Sequence, residues 1–272
     1  MNGHANEPVT RAGDWGAVTV HPLGACVMSW QPDGLERLYV ASDAEPAPGT
    51  MWHGGIPVCA PWFGVGQGDW QVPQTHGLVS RVAWELLVDE PTATGWYLLW
   101  RTDAAATAHL PGADHFPPDL SYTLGVTANA EELKLELGVT SPSTAISLDE
   151  AFHTYLAAQQ PTLVEGLIGL RYHDYATDID GIDEAALNID HYLDRVYRGA
   201  PDTTLSSGTG TLRLSSENAA STVVWNPGPG SGAVPGEQWR DFVCIEYGNV
   251  QNRAVTVPAG GTHTLTLRLN VE

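Results

Sequence analysis

The sequence predicts an all-β protein, a sandwich or barrel formed as a single domain. Three observations carry this. Short segments of alternating apolar and polar residues recur along the chain, 29 glycines and 19 prolines punctuate them, and no segment sustains a helical period. A chain of 272 residues with 43% hydrophobic content can fill one sizeable core, and all-β domains of this length often stay undivided.

Taken in order, residues 1–16 read as a loosely ordered polar lead-in with no assigned role, and residues 17–272 as the domain. Strand character appears at Val18–His21, Glu36–Val40, Arg81–Val88, Gly95–Trp100, Ser121–Thr127 and Leu133–Thr140. It returns at Thr162–Gly166, Thr211–Ser215, Thr222–Trp225, Phe242–Glu246 and Leu265–Asn270. The clearest case is Leu133-Lys-Leu-Glu-Leu137, strict period two with leucines on one face and charge on the other. The richest helical candidate, Ile182–Leu187, amounts to one or two turns. The Pro/Gly-rich stretch 226–236 is a loop inside the domain, and no internal repeat is present.

Composition excludes several classes. A formal net charge of −20 opposes nucleic acid and anionic membranes, whose phosphates need a basic patch. The three cysteines, Cys26, Cys59 and Cys244, are odd in number and flanked by apolar residues, so they read as reduced buried thiols of a cytoplasmic protein. No signal-peptide pattern and no stretch of transmembrane length is seen. The glycine-rich runs at 64–68 and 228–236 lack the strand-turn-helix context and the Gly-Lys-Ser/Thr of nucleotide loops. No Gly-x-Ser-x-Gly elbow exists, and Lys134, the only lysine, alternates with leucines on a solvent face, a poor place for Schiff-base chemistry. No His-x-His or His-x-x-x-His pair supports a metal centre, and the acid-rich stretch Asp174–Asp194 reads as a solvated loop.

One segment has no structural period at all: His53-Gly-Gly-Ile-Pro-Val-Cys-Ala-Pro-Trp-Phe-Gly64, followed by His76-Gly77. Its glycines call for tight turns or close approach, and its prolines stiffen it. Trp52, Trp62 and Trp70 offer flat apolar faces beside His53 and His76, which suits a sugar; a structured loop capping a sandwich is the plainer alternative. Three further polar residues sit in strand-like surroundings: His153 after Ala151-Phe152, Asp194 in Tyr192-Leu-Asp-Arg-Val-Tyr197, and Glu246 at the end of Phe242-Val-Cys-Ile245. With both faces of that last strand apolar, Glu246 is at risk of burial, and a buried carboxylate is costly unless paired or working. A His and a Glu meeting in one pocket would form a general acid–base pair.

These residues together resemble the hexose-6-phosphate mutarotase group of the aldose 1-epimerase family. The resemblance runs from about Thr19 to the C-terminus. It rests on Gly54-Gly-Ile-Pro-Val-Cys-Ala-Pro-Trp-Phe-Gly64, His76-Gly77 with Trp84-Glu85, Phe152-His153-Thr154-Tyr155, Asp194-Arg-Val-Tyr197, Val223-Val-Trp-Asn-Pro227 and Phe242-Val-Cys-Ile-Glu-Tyr-Gly-Asn-Val250. It implies a galactose-mutarotase-like β-sandwich, or supersandwich, that interconverts anomers of an aldose in carbohydrate metabolism. It implies His153 as general acid on the ring oxygen and Glu246 as general base on the C1 hydroxyl. His76 would bind near the ring oxygen and Asp194 would bind hydroxyls. No cofactor and no metal is expected, since only protons move; the partner is a small sugar, and the protein is expected to be a monomer or weak dimer.

The chain departs from the family at its phosphate clamp. The arginine usual before Gly-Gly-Ile-Pro is His53, and the arginine usual four residues after the His of His-Gly is Ser80, with Arg81 one position later. On a strand one position reverses the side chain. The expectation is a catalytic pair retained and a 6-phosphate clamp weakened, with a bulge that brings Arg81 into the clamp beside His53 as the milder possibility. A non-catalytic sugar-binding protein, and a sugar hydrolase using Asp194 and Glu246 as paired carboxylates, are the competing classes.

Overall fold

The computed structural model describes residues 7–45 and 47–272. Two large sheets, all of whose strands pair antiparallel, face one another. The nine-strand sheet runs Leu187–Asn188, Leu163–Glu165, Thr203–Ser207, Gly210–Glu217, Gly261–Val271, Glu132–Ser141, Ser121–Asn129, Gly95–Asp103 and Glu85–Pro91. The eight-strand sheet runs Ile179–Ile182, Arg171–Asp174, Leu193–Tyr197, Ser221–Asn226, Phe242–Asn249, Glu150–Phe152 and Val58–Cys59, and Tyr155–Ala157 also pairs with Phe242–Asn249. Val9–Gly13, Gly16–His21 and Cys26–Gln31 form a third sheet, and Ile146–Leu148 pairs with Val255–Val257.

The core follows from period two. Trp100, Leu124, Leu137 and Leu265 stand opposite one another across four strands, as do Leu98, Val126, Leu135 and Leu267 in the next row but one. All eight belong to one buried cluster that also takes Phe152, Val224, Val243, Ile245 and Tyr247 from the other sheet. Each such side chain contributes roughly 1.5–3 kcal/mol by leaving water. Lys134 lies on the opposite face, 2.8 Å from Glu136. Along Phe242–Asn249 the odd residues enter this core, which turns Phe242, Cys244 and Glu246 to the sheet's outer face.

Four expectations need correction. Val9–Gly13, read as polar lead-in, pairs residue for residue with Gly16–Val20, while residues 1–6 lie outside the described part. Glu36–Val40 is no regular strand; the Glu36 carboxylate accepts the backbone N–H of Trp30 and Leu38, leaving only the bridges Leu38–Leu156 and Val40–Gly54. The strand expected from Arg81 begins at Glu85, because Val79–Arg81 closes a 3-10 turn. The helical turn at Ile182–Leu187 is absent, because Asp183 there is drawn inward by Arg195 (2.7 Å) and Tyr197 (2.5 Å). The same arginine binds buried Asp174 at 3.0 Å, so the acidic stretch is partly a buried ion-pair network and not a solvated loop.

The Gly/Pro segment is fixed by close backbone approach. At Gly77 (φ 77°) a Cβ would stand 2.1 Å from the carbonyl oxygen of Ala60, which also accepts the N–H of Leu78 at 2.7 Å. Gly34 has a similar φ of 84° but open space around it. Gly34→Ala is therefore expected to cost about 1–2 kcal/mol of left-handed strain, and Gly77→Ala distinctly more, measured by denaturant unfolding of the two variants side by side.

Candidate active site

The outer face of the eight-strand sheet carries a cleft of about 930 Å³. Strand pairing sets its floor. Asp194 stands opposite Trp225, Trp225 opposite Cys244, and Cys244 opposite Tyr155, one row on one face. Val196, Val223 and Glu246 form the adjacent row two residues along. The pairing of Phe152 with Tyr247 and of Tyr155 with Cys244 spans His153 without a slip, so His153 is level with Glu246. The segment is pinned there: His153 N–H donates to Pro57 O at 3.0 Å, Tyr155 N–H to Gly55 O at 2.9 Å, and Ile245 N–H to Thr154 O at 3.2 Å.

His153 Nε2 lies 3.4 Å from Glu246 Oε1. The residues are 6% and 1% exposed, and neither His153 Nδ1 nor Glu246 Oε2 has a partner. Burial pushes the Glu246 carboxyl well up, with Asp194 adding like-charge repulsion, and pushes the His153 imidazolium well down. The free pair thus favours one proton held on the carboxyl. The same proton count describes imidazolium facing carboxylate, so a proton moving from one to the other would leave the net charge of the pair unchanged.

His76 presents a second histidine edge, its ring 5.3 Å from that of His153. Its backbone is held at φ 63°, its N–H donates to Gly64 O at 2.7 Å, and its Nδ1 accepts from Gly64 N–H at 3.4 Å. The neutral ring therefore carries its proton on Nε2. Burial, with Arg81 nearby, lowers His76 to about 4. Asp194 is raised to about 6 by burial and accepts from Tyr192 Oη at 3.4 Å. Tyr155 stacks on His153 with centroids 4.8 Å apart, and Trp225 closes that side.

Of the residues expected from sequence, His53, His76, His153, Asp194 and Glu246 all line the cleft, but Trp62 and Arg81 do not. Trp62 is fully buried against Trp70 and Phe116. Arg81 is 8% exposed, and its guanidinium donates to the carbonyls of Gly77 (3.1 Å), Gly49 (2.8 Å) and Thr75 (2.6 Å). Its three nitrogens tie down the loops that carry His76, and no bulge turns it into the cleft. No lysine or arginine is among the lining residues, whereas three carboxylates are: Asp149, Asp194 and Glu246. Asp149 was not singled out from sequence. It accepts from Phe63 N–H at 3.1 Å and Gln67 Nε2 at 3.5 Å, and burial raises it to about 7. The signal existed: like Glu246, it is a carboxylate within a run whose neighbours Leu148, Ala151 and Phe152 are apolar. His153, Cys244 and Glu246 are the one group among the described residues whose ligand atoms cluster as for a metal ion, all within 4.8 Å of one another.

The aldose 1-epimerase family model matches residues 10–270, and the chain belongs to that family of isomerases. An Escherichia coli K12 protein with the provisional name glucose-6-phosphate 1-epimerase is 27% identical over 235 residues, 82% of this chain and 76% of its own. A plant protein from Cenchrus ciliaris with the same provisional name is 25% identical over 92% of this chain and 76% of its own. Among solved structures, a Salmonella typhimurium protein described provisionally as a mutarotase superposes with a TM-score of 0.82 at 22% identity, covering 94% of this chain and 86% of that one. The galactose 1-epimerase of Lactobacillus acidophilus gives 0.71 at 15% identity, over 97% and 94% of the two chains. At these identities the structures speak for the shared fold alone. Among the described residues no helix is long and apolar enough to cross a membrane.

Two histidines distinguish the cleft from the core. His263 Nδ1 lies 2.6 Å from the fully buried Glu150 carboxylate, which raises it above its ordinary value, whereas His76 is held at about 4. In an NMR titration His76 is expected to stay neutral with its proton on Nε2 down to about pH 5, while His263 titrates above 6.5.

Proposed function

We propose that this isomerase interconverts the α and β anomers of an unphosphorylated aldose, with His153 as general acid and Glu246 as general base. The observation that carries the reading is the buried pair 3.4 Å apart on the floor of a cleft lined by no lysine or arginine. The sugar's C1 hydroxyl gives its proton to Glu246, the C1–ring oxygen bond breaks toward the ring oxygen, and that oxygen takes the proton of His153. The aldehyde forms, the C1–C2 bond turns, and the ring closes on the other carbonyl face with both transfers reversed. Every proton that leaves one residue is returned, so the enzyme ends unchanged.

Burial supports this cycle. A sugar hydroxyl donating to Glu246 and a ring oxygen accepting from His153 favour imidazolium facing carboxylate, the form that reacts. Ring opening converts it into neutral imidazole and carboxylic acid, the form that desolvation favours. The charge-separated state is thus stabilised by the bound sugar and relieved by the bond-breaking step. His76 Nε2–H is available as a further donor to the sugar, and the Asp194 carboxylate as an acceptor of its hydroxyls.

The reading parts from the named relatives over phosphate. A phosphate dianion would meet three carboxylates and three histidines, with Arg81 bound to backbone elsewhere. Without a guanidinium it loses charge-assisted, bidentate bonds.

Anomer exchange of glucose, galactose and glucose 6-phosphate, followed by NMR saturation transfer, tests this. Free sugars are expected to exchange faster than the phosphate, and His153→Ala to slow them by about 10²–10⁴-fold. Exchange confined to the 6-phosphate would refute the unphosphorylated substrate. Binding without exchange would favour a sugar-binding protein. Asp194 adds a pH signature: as its carboxylate protonates below about pH 6, KM is expected to rise, and Asp194→Asn to give a high KM that no longer changes there.

A further inference from the structure

We propose that His153, Cys244 and Glu246 form a site for a borderline-soft divalent cation such as Zn²⁺, whose binding blocks the acid–base pair. The site rests on geometry alone; only its inhibitory consequence rests on the function proposed above.

The donor set is imidazole nitrogen, thiolate sulfur and carboxylate oxygen, the mixture that suits Zn²⁺ and Co²⁺ better than Mg²⁺ or Ca²⁺. A tetrahedron built on bonds of about 2.0–2.3 Å has edges of roughly 3.3–3.6 Å. The His153 Nε2–Glu246 Oε1 separation of 3.4 Å already matches one edge. The three ligand atoms lie within 4.8 Å of one another, so binding would shorten the sulfur edges by at most about 1.5 Å. Glu246 Oε2 and His153 Nδ1 are buried without partners, which leaves the carboxylate with unspent acceptor capacity.

Position makes the site reachable. His153 and Glu246 line the cleft; Cys244, fully buried and not itself a lining residue, stands between Tyr155 and Trp225 in the adjacent cross-strand row. The fourth coordination position would be left to water or a sugar hydroxyl from the cleft. On binding, the thiol proton and the proton shared by the pair leave to solvent, and the ion takes the lone pairs that proton transfer needs. Cys244 has no part in the proposed proton transfers, so the two activities are separable by substitution. Cys26 and Cys59 are also buried but lie outside the ligand cluster.

Titration of the metal-free protein with Co²⁺, followed by absorption, decides the matter. Wild type is expected to take up one equivalent with a sulfur-to-cobalt charge-transfer band and a tetrahedral visible spectrum. Cys244→Ala, with Cys244→Ser as a size-matched second variant, is expected to lose the band and to bind at least ten times more weakly. Where anomer exchange is present, Zn²⁺ is expected to stop it reversibly in wild type and to need at least ten times the concentration in Cys244→Ala. Absence of the band in wild type, its persistence without Cys244, or equal Zn²⁺ potency in both proteins would overturn the proposal. Lack of exchange with every sugar would refute the proposed function but not the site, since the cobalt band does not depend on turnover.

Discussion

The cost of burying one carboxylate governs this molecule. Glu246 is 1% exposed on a strand enclosed along its whole length, where an ionised group stripped of water is far less stable than at the surface. The tolerable solutions are to neutralise it or to set a partner against it: burial drives the carboxyl toward its protonated form, and His153 Nε2 stands 3.4 Å away. That solution demands register. His153 is level with Glu246 only because Glu150–Phe152 and Tyr155–Ala157 pair with the same strand without a slip between them. The register in turn depends on Gly55 and Pro57, whose carbonyls hold Tyr155 and His153 in place. The unusual composition of that segment is therefore part of what sets His153 against Glu246, through backbone carbonyls and not through side chains.

A gradient of charge follows from the same burial. The nine-strand sheet turns Lys134 and Glu136 to the face away from the core, whereas its His263 is set toward the buried Glu150. The outer face of the eight-strand sheet collects groups whose protonation is displaced from ordinary values: His76 and His153 downward, Asp149, Asp194 and Glu246 upward. All five shifts run toward the neutral form, as desolvation requires, so the cleft is less charged than its composition suggests. Such a lining suits a ligand made of hydroxyls, which give and accept hydrogen bonds without bringing charge.

Much of this was legible in the sequence because period-two alternation survives wherever one strand face is wet. Leu133–Leu137 and Leu265–Asn270 fall where their patterns put them. Alternation fails where both faces are covered, which is why Val58–Cys59, Glu150–Phe152 and Tyr155–Ala157, the strands that build the site, were invisible. Side-chain chemistry compensated: a Glu closing an apolar run and a His following one were identifiable by the cost of burying them. Trp62 misled because aromatic residues serve cores as readily as sugars, and nothing local separates the two uses. Asp149, beside a second carboxylate in Glu150, was not singled out despite its apolar neighbours. In fact the two carboxylates diverge, one toward the cleft and one toward Asn249 and His263 inside the sandwich.

Arg81 serves the architecture around the cleft and not the cleft itself. Its guanidinium gathers the carbonyls of Gly49, Thr75 and Gly77, so it has become a cross-brace for three loop segments. Ser80, the neighbour at which a clamp arginine would be expected, is 1% exposed and walled in. Moving the arginine from position 81 to position 80 would need space opened at one residue and three orphaned carbonyls satisfied at the next, and either step alone lowers stability. The loops that hold His76 at the cleft thus depend on a cation that does not itself face the cleft.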